Sequence, residues 1–194
     1  MTPGVPAAAR YTAARYLALV DEGVLGPDDR VELLEGVIVA MSPHNPPHAS
    51  AVVRTYEALR SAIGTGGVIR VKLPLIAGSF SVPEPDVAVV PGCPSDYDAV
   101  HPTTALLVVE VADSSLLADR LTKAPIYAAA GIPEYWIVNL RDDLVEVFRA
   151  PERALNQYQD TMRIGRDGRL SVLAFDGASI AVDALLPATV RAAR

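Results

Sequence analysis

Two short apolar runs, each accompanied by one carboxylate, constrain the fold of this chain most strongly. The first run is Val87–Val90, which follows Asp86 directly, and the second is Ala105–Val111, which contains Glu110. Runs of Val and Leu of this length, bounded by Pro, Gly and Asp, are typical of buried neighbouring β-strands. Side chains alternate along a strand, and both faces of the second run are apolar. A central strand covered on both sides is therefore predicted.

Glu110 is the residue that needs an explanation, because an ionised carboxylate in a buried strand is costly unless other groups compensate its charge. Asp86 and Glu110, at the ends of adjacent strands, could converge on one divalent cation. Hard oxygen ligands of this kind suit Mg²⁺ or Mn²⁺. The structural alternatives are a turn-capping role for Asp86 and a buried salt bridge from Glu110 to Arg70 or Arg120.

Lys123 is a further candidate site residue. Of the 17 basic residues only Lys72 and Lys123 are lysines. Lysine is a compact point charge that can orient or deprotonate a water molecule or neutralise developing charge. Lys123 lies on the predicted helical segment after Glu110 and could fold back over the strand end, but Pro125 leaves its direction open. The structural alternative for Lys123 is a solvated lysine on the helix. Lys72 is expected on the flank of a strand, from which it could reach phosphate if that strand borders the site.

The pattern along the chain mixes helices and strands and predicts an α/β fold with a mixed sheet. At 194 residues the chain is expected to form a single domain, 1–194, with residues 1–9 as a flexible tail. Periodicity predicts helices over Ala13–Asp21, His48–Ile63 and Leu116–Ala130. Further strands are predicted over Val31–Leu34, Val37–Met41, Val68–Ile76, Glu134–Leu140, Leu144–Arg149, Gln157–Ile164, Leu170–Phe175 and Ile180–Leu186.

Composition excludes several classes of protein. No apolar run approaches the roughly 20 residues needed to span a bilayer, and no signal peptide is evident, so a cytoplasmic location and no membrane partner are expected. The single cysteine, Cys93, excludes a disulfide framework and a Cys-rich zinc site. His44 and His48 bracket two prolines and do not present the helical spacing of a zinc pair. A net charge of −6 argues against a broad phosphate-binding surface but leaves room for a narrow cleft.

Several stretches resemble a known group of nucleases. Pro85-Asp86, followed by Glu110 near the end of a Val/Leu strand, resembles the PD-(D/E)XK nuclease superfamily. More closely, the chain is similar over roughly Tyr11 to Arg149 to a large bacterial family of proposed restriction endonucleases. The blocks that carry this similarity are Tyr11–Leu17, Val31–Gly36, Met41–Pro43 with His48, Pro85-Asp86 and Gly131–Val138.

The resemblance implies a restriction-endonuclease-like fold, in which a mixed central sheet is flanked by helices and carries additional β-hairpins. It also implies Mg²⁺-dependent hydrolysis of phosphodiester bonds, with Mn²⁺ as a substitute. Asp86, Glu110 and the Val111 carbonyl would be the metal ligands. The superfamily motif would place lysine where Ala112 stands, and Lys123 matches the position from which a helix lysine substitutes in this family.

The resemblance places two more residues near the site: Glu32, as a further acid, and His48. The structural alternatives are a carboxylate at the hairpin edge for Glu32 and a role in capping or packing its helix for His48. The leading hypothesis is therefore a metal-dependent endonuclease acting on nucleic acid, with DNA as the expected substrate and a homodimer as a plausible assembly. Its catalytic residues would be Asp86, Glu110, Lys123 and Glu32. One alternative is a non-catalytic binding module acting through a partner, and another is hydrolysis of a small phosphate ester.

Overall fold

The computed structural model describes residues 10–26 and 28–188, where the chain forms one six-stranded sheet, two two-stranded sheets and several helices. The predicted flexible tail, residues 1–9, lies outside this part of the chain. Within the described residues, no helix has both the length and the apolar character that a membrane crossing requires.

The chain begins with a helix and a hairpin. Helix α1 (Ala13–Asp21) starts at Thr12, whose hydroxyl accepts a hydrogen bond of 3.1 Å from the backbone N–H of Arg15. Strands β1 (Val31–Leu34) and β2 (Val37–Ala40) then form the predicted antiparallel hairpin around two residues. Glu35 at the turn has a φ of 48°, which is the left-handed conformation that such tight turns require.

The six-stranded sheet forms the body of the protein. Strands β5 (Leu107–Ala112) and β6 (Glu134–Asn139) run parallel, and every other neighbouring pair in this sheet is antiparallel. The predicted α/β class with a mixed sheet is therefore confirmed. In spatial order the strands are β3 (Val68–Val71), β4 (Val87–Val90), β5 (Leu107–Ala112), β6 (Glu134–Asn139), β7 (Leu144–Glu152) and β8 (Gln157–Gly165).

Helices cover both faces of this sheet. The long helix α2 (Pro46–Ile63) packs on the face that contains Val109 and Trp136, and Tyr127 packs on the opposite face against Val108. Strand β5 is buried at all six positions, as predicted for a central strand. Glu110 shares a face with Val108, so its carboxylate lies on the side of Tyr127.

A helical segment of three parts follows β5. It consists of α3 (Leu116–Ala118), one π-helical turn (Asp119–Lys123) and α4 (Ala124–Ala130), which ends at Gly131 with a φ of 76°. The Ala124 N–H donates to the Asp119 carbonyl across the π turn. This wide turn comes immediately before Pro125, where a continuous α-helix would lose a hydrogen bond.

Several predicted boundaries are wrong. The strand predicted over Val68–Ile76 ends at Val71, because Lys72 adopts a φ of 51° and turns the chain out of the extended conformation. Helix α2 begins at Pro46 rather than His48, since Asn45 caps it and proline is tolerated in a first turn. Near the C-terminus, β9 (Arg169–Ser171) pairs with β10 (Ser179–Ala181), and α5 (Val182–Leu185) replaces the end of the last predicted strand.

Candidate active site

The pairing of β4 with β5 brings Asp86 and Glu110 together. In this antiparallel pair Val87 lies opposite Val109. Asp86, one residue before Val87, therefore lies opposite Glu110, one residue after Val109. The Val111 N–H donates to Asp86 Oδ2 at 2.8 Å, and the Asp86 N–H lies 3.4 Å from Glu110 Oε2. Both carboxylates are buried, with exposures of 6% and 4%. The two acids predicted from the sequence therefore form one buried pair.

Lys123 lies inside this cluster. Its ammonium is 3.0 Å from Glu110 Oε1 and 3.3 Å from Glu32 Oε2, and its side chain is only 11% exposed. The direction of this side chain, left open by Pro125, is inward, because the π turn ends at Lys123 and α4 restarts immediately after it. Lys123 thus bridges two carboxylates that come from different sheets.

Glu32 reaches the cluster from the hairpin. It lies on β1 and is 6% exposed, and its Oε2 also accepts a hydrogen bond of 3.2 Å from the Glu84 N–H. The sequence left open whether this residue belongs to the hairpin edge or to the site. Its position beside Lys123 makes it part of the cluster.

Asp119 is a fourth carboxylate in the cluster that the sequence analysis did not single out. It is 2% exposed and accepts a 2.7 Å hydrogen bond from the Ser115 hydroxyl. Burial raises the pKa of Asp119 to about 6, although Lys123 and the Ser115 hydrogen bond act in the opposite direction. The signal in the sequence was the four-residue spacing of Ser115, Asp119 and Lys123, which places all three on one helical face.

The cluster holds more negative than positive charge. Burial raises the pKa of Glu110 to about 8, because the attraction of Lys123 does not offset burial and the repulsion of the neighbouring carboxylates. The Tyr127 hydroxyl donates to Glu110 Oε1 at 2.7 Å and shares this oxygen with Lys123. Burial favours a neutral amine, but the carboxylates of Glu110 and Glu32 raise the pKa of Lys123, so its ammonium is charged. A further cation would be strongly attracted here.

Asp86 is surrounded by basic groups on its other side. His48 Nε2 lies 3.1 Å from Asp86 Oδ2, and Lys72 Nζ lies 3.2 Å from Oδ1. Burial acts to raise the pKa of Asp86, but the hydrogen bond and charge of His48 lower it overall. His44 stacks on His48 with ring centroids 4.4 Å apart, so the two imidazoles meet even though His44 precedes the helix. A ring nitrogen of each and an oxygen of Asp86 lie within 4.8 Å of one another.

The carboxylates open into a cavity of about 880 Å³ between the hairpin, the start of α2 and the helical segment after β5. Glu32, Asp86, Glu110, Val111 and Lys123 all line this cavity. A second cavity of about 590 Å³ lies on the side of Lys72. Asp86 therefore stands at the boundary between two cavities.

The donor set fits a hard divalent cation. Two buried carboxylates supply anionic oxygens, and Val111 lines the same cavity as a source of a carbonyl oxygen. The arginines considered as structural partners of Glu110 are engaged elsewhere, since Arg120 pairs with Glu146 and Arg70 lies over the ring of Tyr97. The contacts of this pair come instead from lysine and histidine side chains, and both acids line the 880 Å³ cavity.

A mixed sheet of this topology, with buried acids and a lysine at one strand end, defines a protein of the restriction-endonuclease-like fold. The chain belongs to the Uma2 family, described as "Putative restriction endonuclease", whose sequence profile matches residues 13–183. The family resemblance read from the sequence is confirmed.

A solved structure has a similar fold. It is described as "a putative nuclease belonging to DUF820 from Anabaena variabilis ATCC 29413" and is 15% identical to this chain. The match covers 90% of this chain and 96% of that one, with a TM-score of 0.71. No curated protein sequence matches the chain. At this level of identity the structural likeness supports the fold alone.

Proposed function

We propose that this protein is a metal-dependent endonuclease that hydrolyses phosphodiester bonds of nucleic acid, with DNA as its substrate. The observation that carries the proposal is the position of the Lys123 ammonium between Glu110 and Glu32, at the wall of the 880 Å³ cavity that Asp86 also lines. Membership of a family described as restriction endonucleases supports the same reaction class.

In this proposal Asp86, Glu110 and the Val111 carbonyl hold Mg²⁺, for which Mn²⁺ can substitute. The bound ion would supply a water of lowered pKa and stabilise the negative charge that develops on the transferring phosphoryl group. Lys123 positions the attacking water or neutralises charge in the transition state, since its ammonium is charged and faces the cavity. Glu32 holds Lys123 in place through its 3.3 Å contact.

The alternative of a non-catalytic binding module is less well supported. The binding module would be favoured if Lys123 faced solvent and arginines neutralised Asp86 and Glu110. Lys123 is instead 11% exposed and contacts Glu110 and Glu32, whereas Arg120 contacts Glu146. The acidic net charge of −6 is compatible with a narrow catalytic cleft that receives one strand at a time. A homodimer that cuts both strands of a duplex remains a prediction.

The decisive experiment measures cleavage of supercoiled plasmid and of single-stranded oligonucleotides with Mg²⁺, with Mn²⁺ or with EDTA. We expect metal-dependent cleavage that Asp86→Ala lowers by roughly a thousandfold or more, because the ion loses an anionic ligand. The control is Asp160→Ala on the exposed face of β8, which should cleave normally.

Cleavage that survives both EDTA and Asp86→Ala would contradict the proposal. Metal binding without cleavage of any nucleic acid would favour the binding module. Cleavage restricted to small phosphate esters would replace the proposed substrate class.

A further inference from the structure

A second set of potential metal ligands lies beside the proposed ion. His44, His48 and Asp86 bring two ring nitrogens and one carboxylate oxygen within 4.8 Å of one another. Imidazole and carboxylate donors suit Mn²⁺ and other first-row transition metals. Nucleases with two such positions hold ions about 3.5–4 Å apart, which stabilise the attacking and leaving oxygens. Asp86, which also belongs to the oxygen-rich set with Glu110, would be the shared ligand.

The ammonium of Lys72 already occupies this second position. Lys72 Nζ is 2.5 Å from His44 Nε2 and 3.2 Å from Asp86 Oδ1, so it contacts two of the three ligand residues. A metal ion on these atoms would sit about 2.0–2.2 Å from each. The ammonium and such an ion would therefore compete for the same space as well as repel each other.

The backbone directs Lys72 to this place. Its φ of 51° ends β3, and its N–H is held by the carbonyls of Pro85 and Asp86, at 3.1 and 3.3 Å. A non-glycine residue in the left-handed conformation is uncommon and persists where the surroundings fix it. Lys72 and Asp86 are therefore tied together through both backbone and side chain.

The two lysines approach the carboxylates from different cavities. Lys123 lines the 880 Å³ cavity and contacts Glu110, whereas Lys72 lines the 590 Å³ cavity and contacts Asp86. His44 and Asp86 line both cavities. A positive charge from the chain thus contacts Asp86 from the 590 Å³ cavity.

We propose that the Lys72 ammonium takes the place of a second metal ion, so that this centre binds one divalent cation per chain. The inference rests on the proposed function, since it assumes that Asp86 and Glu110 hold the first ion. Lys72 then supplies, as a fixed single charge, the electrostatic stabilisation that a second ion gives in a two-metal nuclease. It also makes the His44–His48 side of the site unavailable to transition metals.

The test is the stoichiometry of Mn²⁺ binding, measured by titration calorimetry and by the electron paramagnetic resonance signal of free Mn²⁺. The unmodified chain is expected to bind one ion. Lys72→Met, which removes the ammonium but keeps much of the side-chain volume, is expected to bind two. Adding His44→Ala to Lys72→Met is expected to restore a stoichiometry of one.

Arg30→Met is the matched control, because Arg30 lines the same 590 Å³ cavity and its loss also removes one positive charge. It should still bind one ion. Two ions on the unmodified chain, or one on Lys72→Met, would overturn the inference, as would a second ion that does not depend on His44. Lys72→Arg, which keeps the charge, should bind one ion and so separates charge from side-chain identity.

This result can fail separately from the proposed function. One ion on the unmodified chain and two on Lys72→Met, with no cleavage of nucleic acid, would support the role of Lys72 and contradict the proposed nuclease activity. Cleavage that depends on Asp86, together with one ion on Lys72→Met, would support the nuclease and contradict the role of Lys72. No ion on either chain would contradict both proposals.

Discussion

Two regions of the molecule each bury a pair of glutamates. One region contains Glu134 and Glu146, which are 0% and 2% exposed, and the other contains Glu110 and Glu32, which are 4% and 6% exposed. The first two are paired with arginine. Arg149 donates two hydrogen bonds to Glu134 Oε1, while the Leu173 N–H donates to Oε2 at 2.8 Å. The second two are paired with the ammonium of Lys123.

The consequences for protonation are opposite in Glu146 and Glu110. Burial acts to raise the pKa of Glu146, but hydrogen bonds from Arg120 and Asn139 lower it overall. Burial raises the pKa of Glu110 to about 8 despite Lys123. The planar guanidinium engages Glu146 through both of its oxygens, whereas Lys123 and Tyr127 share one oxygen of Glu110. Both oxygens of Glu146 are therefore satisfied by its arginine partner, whereas Glu110 retains capacity for another cation.

The largest effect is expected from Lys123→Met, which should lower the rate of cleavage at saturating Mg²⁺ by about a thousandfold. In the proposed mechanism the ammonium orients the reacting groups, and it contacts the carboxylates of Glu110 and Glu32. Lys123→Arg should not restore the rate, because a guanidinium fork does not fit a position built for a point charge. A rate within roughly tenfold of the unmodified chain would place the essential cation elsewhere.

The arginine-paired region should respond through stability. Arg149→Met leaves Glu134 buried without its partner and should lower the free energy of unfolding by about 3–5 kcal/mol in a denaturant titration. Arg54→Met, at an exposed position of α2, should change it by no more than about 0.5 kcal/mol. Replacing both partners, with Arg149→Met and Glu134→Met together, should recover much of the loss. Equal losses in the single and double variants would show that the ion pair is not the cause.

The smallest expected effect is on the pH dependence of metal binding. The pKa of Glu110 is raised, so its carboxyl is protonated below about 8 and the proton competes with the ion. The affinity for Mn²⁺ should rise about tenfold per pH unit between about pH 6 and 8 and level off above that range. Glu110→Gln should bind more weakly and with a flatter pH profile, measured by titration calorimetry. The same slope in both chains would assign the titration to another group.

The sequence predicts the elements whose signals are local. The strands carrying Val87–Val90 and Glu110, the hairpin at Glu35 and the burial of both faces of β5 all follow from alternation and turn residues. The order of the six strands and the parallel pairing of β5 with β6 do not, because they depend on contacts between distant parts of the chain.

The site divides in the same way. Asp86 and Glu110 could be predicted to meet, since neighbouring strands bring them together. The inward direction of Lys123 could not, because the π turn before Pro125 is decided by packing rather than by helix propensity. The contact of Lys72 with His44 joins residues 28 positions apart. The only feature of the sequence that pointed to Lys72 was that the chain contains just two lysines among its 17 basic residues.

The β1–β2 hairpin must be packed against the rest of the chain for Glu32 to contact Lys123. The hairpin forms its ladder only within itself. Its backbone is held to the rest of the described chain by a bridge between Leu33 and Val82 and by two hydrogen bonds at Gly36, to the Phe80 carbonyl and from the Tyr11 N–H. Asp86 and Glu110 belong to the large sheet, whereas Glu32 arrives on this separately hydrogen-bonded unit. Brief undocking of the hairpin would withdraw Glu32 from Lys123 without disturbing the sheet. In the proposed nuclease, catalytic competence would then depend on a local docking equilibrium, whose free energy is smaller than that of global unfolding.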